Sequence, residues 1–101
     1  MTTENTLSKS SFEHDGKSHL IGYKYVHNRN LSYTHPFRYV EGVNISSLPG
    51  FRIGTLDYVK EHYDHEDGKI IMCSFLMEDV CSIEDQCVRV VRMHIDTLNN
   101  V

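Results

Sequence analysis

The chain contains no tryptophan, two prolines and three cysteines, and its longest apolar stretch runs only from Ile70 to Met77. That stretch is far too short to span a bilayer. Cys73, Cys81 and Cys87 are odd in number and form no CxxC pair, which argues against a disulfide framework and a cysteine-rich zinc site and favours reduced thiols. The segment Met1 to Ser11 is polar with no hydrophobic run behind it, so no secretory signal is read and a cytoplasmic location is expected. Ten basic against fourteen acidic side chains give a net charge of -4, which opposes general electrostatic capture of nucleic acid. There is no GxSxG elbow, HExxH helix, phosphate-binding glycine loop or Cys-His signature, so the sequence supports neither an enzyme nor a cofactor.

What is present is an ordinary globular balance, 40% apolar and 24% charged over 101 residues, enough for one domain. Residues 1–17 read as a flexible amino-terminal arm closed by Asp15-Gly16, and residues 18–101 as a single α+β domain. From His19 to Val26 the alternation sets Ile21, Tyr23 and Tyr25 on one strand face, expected to be the buried one, against Leu20, Lys24 and Val26. Two further β-rich runs reach Ile45, split by His35-Pro36 and by Gly42. Beyond the turn cluster Ser46–Gly50 the period lengthens. Thr55 can cap a short helix in which Leu56, Val59 and Tyr63 recur at spacings of three and four, with His62 in its last turn. The run after Gly68 is apolar on both faces and reads as a central strand, Val80–Ile83 as a segment that either pairs briefly or packs under the sheet, and Cys87–Ile95 as one closing strand. These elements predict a small twisted, mainly antiparallel sheet of four to five strands with one short helix packed on one face.

Several clusters carry chemistry. His62, Asp64, His65, Glu66 and Asp67 combine imidazole with carboxylate, yet residues crowded at one helix-strand junction read as a solvated acidic loop facing a partner, and no metal is assigned to them. Cys73 lies inside the apolar strand, where packing is the better account; Arg89 and Arg92 lie near Cys87 in sequence and would lower its pKa if it were exposed. His94 reads as a half-buried sheet residue. The arginines at 29, 38, 52, 89 and 92, with the tyrosines at 23, 25, 33, 39, 58 and 63, are the residue types favoured at interface hot spots. A partner surface is therefore expected to draw on Arg38, Arg52, His62, Asp64, Glu66, Asp67, Glu78, Asp79 and Arg92.

The segments PFRYVEGVNI, PGFRIGTLDYVKEHY, GKIIMCSFLMEDVCSI and CVRVVRMHI, spanning about His19 to Ile95, resemble the carboxy-terminal domain of rIIB-like lysis-inhibition proteins of tailed phages. The pattern's turn falls on Gly50–Gly54, with Arg52 where the pattern has histidine, and its acidic-Val-Val-Ser-Ile segment on Asp79–Ile83. The resemblance implies a small accessory protein acting in an infected bacterium. Three readings follow: a non-enzymatic protein that binds and modulates or inhibits a host or phage protein; a small anionic-ligand or nucleotide-binding domain with Arg52 near the helix start; and a homo-oligomeric structural module joined through an uncovered sheet edge.

Overall fold

The computed structural model describes residues 13–14, 19–33, 37–63 and 66–101; most of the expected arm, the His35-Pro36 bend, Asp64 and His65 lie outside the described residues. The elements, in chain order, are β1 (Glu13–His14), β2 (Leu20–His27), β3 (Gly42–Ile45), β4 (Phe51–Gly54), α1 (Leu56–His62), β5 (Gly68–Phe75), a 3-10 turn (Met77–Asp79), β6 (Val80–Glu84), β7 (Cys87–Val90) and β8 (Arg92–Ile95). Every strand pair is antiparallel, in the order β3-β8-β5-β2-β4-β7-β6, with the two-residue β1 alongside β2. The α+β class and the single short helix are as expected. The sheet is larger than the four to five strands expected, and three local features account for the difference.

The first is β4, which falls where the sequence suggests only a turn. Phe51 and Ile53 are fully buried and alternate with Arg52, but this period of two lasts for four residues between Gly50 and Gly54, too short to stand out. The second is Val91, a bend that divides the expected closing strand into β7 and β8. Strict alternation from Val88 would have sent Met93 and Ile95 to the face opposite Val88 and Val90. The bend resets the parity, and all four are buried. The third is β6, which pairs with β7 from Val80 to Glu84 and shifts register between Val80 and Ser82.

The bend also shapes the whole sheet. β8 pairs with β5 and β7 pairs with β4, while β2 lies between β5 and β4. Because Val91 alone separates β7 from β8, both ends of that path belong to one bent strand, and the sheet curls into a small half-open barrel. The strand order still ends on β3 and β6, each paired along one side only. The interior is filled by Leu20, Val26, Phe51, Ile53, Ile71, Phe75, Val88, Val90, Met93 and Ile95. Burying each such side chain contributes on the order of 2 kcal/mol.

The face of β2 inside this barrel is the reverse of the one expected. Leu20, Gly22, Lys24 and Val26 are buried, and Ile21, Tyr23 and Tyr25 are half-buried. Hydropathy favours the aromatic face for the core because the other carries a glycine and a lysine. Pairing with β5 along all eight residues of β2 fixes the register that places Lys24 inside.

α1 packs on β2 and β4 through buried Val59. Thr55 caps it from the extended region, its Oγ1 accepting the Tyr58 N–H at 3.3 Å, with Asp57 in the first turn and Lys60 and His62 in the last. Thr55→Ala should lower the unfolding free energy by about 1 kcal/mol, read as a shift in urea midpoint at unchanged slope.

A candidate anion-binding cavity

Lys24 is the least expected residue of the interior. Only 8% of it is exposed, and its ammonium donates to the backbone carbonyl of Arg52 and lies 5.5 Å from the centre of the Tyr39 ring. Among the described residues no carboxylate acts on it; the neighbours that do are Arg52 and Arg89, which oppose its charge, and the Cys73 sulfur, which favours it. Burial is the main cause that pushes its pKa down from 10.5 to about 8, and the two guanidinium groups push the same way.

Lys24, Arg52 and Tyr39 belong to the wall of a cavity of about 150 Å³. The rest of the wall consists of Arg89, Tyr23, Tyr25, Tyr33, Tyr58, Tyr63, Ser32, Gly50, Gly54 and Val59. Among the described residues three cations line it and no acidic side chain does. All six tyrosines of the chain meet here. The two arginines are forced together by the sheet, because Arg52 of β4 stands directly opposite Arg89 of β7 in the antiparallel register. Like charges in that relation are destabilising. Glu84 approaches Arg52 only loosely, at 3.8 Å, between half-exposed groups. Burial works against the Arg52 charge, but a side-chain hydrogen bond with Tyr63 and the Glu84 carboxylate outweigh it and raise its pKa. Burial raises the Tyr39 hydroxyl to about 12, so this part of the wall stays neutral at physiological pH.

The approach to the cavity is set by local geometry. Gly50, at φ +91°, lies against the backbone of Val90, with Cys81 Sγ beside it. Gly68 leaves room for the Tyr25 ring, which a Cβ at that position would meet at 1.9 Å. Tyr25 then carries Tyr33 at 5.7 Å and the nearly parallel Tyr63 at 6.0 Å between ring centres.

The other residues expected to face a partner are dispersed. Arg38 is exposed and donates to the Arg29 carbonyl at 3.3 Å. His62 stacks on Tyr58 with ring centres 4.1 Å apart, and Glu66 and Glu78 are exposed. Asp67 is engaged with His27 at 3.0 Å and accepts the Tyr33 hydroxyl at 2.8 Å. Asp79 is buried and receives two hydrogen bonds from Arg92, each 3.1 Å, a forked pair that holds the 3-10 turn against β8. Of the eight that are described, Arg52 alone lies in the cavity wall. Asp64 is outside the described residues. No group of three or more histidine, cysteine, aspartate or glutamate side chains is placed to hold a metal among the described residues.

Cys73 is buried and its thiol is pushed up to about 12 by that burial, as expected of a packing residue. The effect expected of arginine neighbours on Cys87 applies to an exposed thiol. Cys87 too is buried, and burial followed by its bond to Glu84 at 3.2 Å raises its pKa. A wider depression of about 480 Å³ includes Asp79, Arg92, His94 and Asp96, but its charges are already matched in the pairs Asp79–Arg92 and His94–Asp96. Among the described residues, the buried charge without a carboxylate partner is that of Lys24.

Sequence reasoning did not single out Lys24. The available signal was its place in β2, where Leu20, Gly22, Lys24 and Val26 share one side and a lysine between two tyrosines interrupts an apolar strand. Comparison with protein-family models, with curated proteins and with solved structures returned no match.

Proposed function

We propose that this chain is a binding domain for a small anionic ligand, held in the tyrosine-lined cavity. The observation that carries the reading is Lys24, a buried ammonium with no carboxylate among the described residues to balance it and two arginines close by. Buried charges are expensive unless paired, and proteins pair them with an opposite charge or a ligand. An anion between Lys24, Arg52 and Arg89 would relieve both the buried cation and the like-charge pair across β4 and β7. The net charge of -4 repels an extended polyanion while leaving a small anion free to reach a local positive site, which favours a small molecule over nucleic acid.

Thermal unfolding in inorganic phosphate tests the reading. Phosphate at a hundred times its Kd should contribute about 2.7 kcal/mol, a rise in Tm on the order of 10 °C. Arg89→Ser should abolish most of that rise. An equal response in the variant would assign the effect to general salt exclusion and defeat the reading.

A second reading, a non-enzymatic protein that blocks a host or phage protein, draws on β3, which ends the strand order and exposes Val43 and Ile45, with Leu48 exposed just beyond it. Such a complex should be lost in Ile45→Lys with the phosphate response intact. Its survival in that variant would remove β3 as the contact.

A further inference from the structure

The cavity has more aromatic wall than an inorganic anion requires. Phosphate alone is held well by arginine, lysine, hydroxyls and backbone N–H groups. Here every tyrosine of the chain is gathered around three cations, brought from β2, α1 and the segments that follow β2 and α1. Tyrosine faces attract flat π-systems and hold them at little conformational cost. A cavity of about 150 Å³ admits one ring of benzene size at a time.

From this wall we infer that the ligand is a monocyclic aromatic phosphate: one flat six-membered ring against the tyrosines, with its phosphate between Arg52, Arg89 and Lys24. Aryl phosphates and pyrimidine mononucleotides share this chemistry. The inference rests on the anion-binding reading and adds the ring to it.

Binding is measurable without a label. With no tryptophan in the chain and all six tyrosines in the cavity wall, intrinsic emission reports on this site alone. Thermal shift supplies an independent Kd. The probes are inorganic phosphate, ribose 5-phosphate, phenyl phosphate and uridine 5′-monophosphate. Phenyl phosphate and the uridine nucleotide should each bind at least about tenfold more tightly than ribose 5-phosphate, the gain expected from stacking one ring on an aromatic side chain. Tyr58→Leu should remove that preference and keep the affinity for ribose 5-phosphate. Tyr25→Leu serves the same purpose if the first variant fails to fold. Equal affinities for ribose 5-phosphate and the ring-bearing phosphates would overturn the ring while leaving the anion site standing. No binding by any of the four would overturn both.

Discussion

Lys24→Met should stabilise the ligand-free domain at pH 7 by on the order of 2 kcal/mol and abolish its response to phosphate. Holding the ammonium charged in the fold costs about 3 kcal/mol, the free-energy equivalent of a pKa of about 8 against an ordinary 10.5. Methionine keeps most of the volume and removes the charge, but leaves the Arg52 carbonyl without its donor, which returns about 1 kcal/mol. A stabilising substitution that destroys binding is the signature of a residue retained for function. A destabilised variant that still answers to phosphate would refute the assignment.

The same residue gives the pH dependence a definite sign. Lys24 titrates at about 8 in the fold and near 10.5 when unfolded, so between these values the unfolded chain holds more protons and stability rises with pH. Below pH 8 the full cost is present, and above it the cost falls by about 1.4 kcal/mol per pH unit. Cys73 opposes this above pH 9, because the fold holds its thiol protonated to about 12. Tyr39 does the same above pH 10. The rise is therefore cleanest between pH 8 and 9. Chemical denaturation of the wild type and Lys24→Met across that range should show their difference shrinking, whereas a constant difference would mean that Lys24 does not titrate there.

Gly50→Ala should have the largest effect on stability, lowering it by about 3 kcal/mol or more. Two costs combine. At φ +91° the backbone is in a region that L side chains rarely adopt, and leaving the favoured regions costs on the order of 1–3 kcal/mol. A Cβ there would also lie 2.6 Å from the Val90 carbonyl oxygen, a backbone atom held in the β4–β7 ladder and unable to move aside. By contrast Gly42, at φ +99°, has nothing within 4 Å of its missing Cβ, so Gly42→Ala meets only the first cost. Urea midpoints for the two variants separate the contributions. Equal losses would show that the Val90 contact carries no weight.

The parts of this fold that were legible in the sequence have long, regular periods. The capped helix at Thr55 and the strands around Gly22 and Met72 follow directly from spacing. The parts that were not legible depend on pairing between distant residues. β4 is too short to show its period, and the bend at Val91 reads as continuous alternation until both of its partners are known. The cavity had the same difficulty. Its tyrosines and arginines were conspicuous by type, and Arg52 was marked, but their convergence depends on the registers that set Arg52 opposite Arg89 and Lys24 on the inner side of β2. The acidic residues attracted attention because they cluster in sequence, whereas Asp67 and Asp79 are occupied in holding the fold together.

The bent strand through Val91 also dictates when this domain can form during its own synthesis. β2, β4 and β5 are made early, yet β7 and β8 are needed to join the two flanks of the ring, and Met93 and Ile95 are fully enclosed only in the finished structure. A nascent chain that has released residues only as far as Glu84 from the ribosome has its greasy strands in hand and nothing to shut them in. Folding must wait until Ile95 has left the exit tunnel, and until then the aliphatic faces of β2 and β5 are open to chaperones.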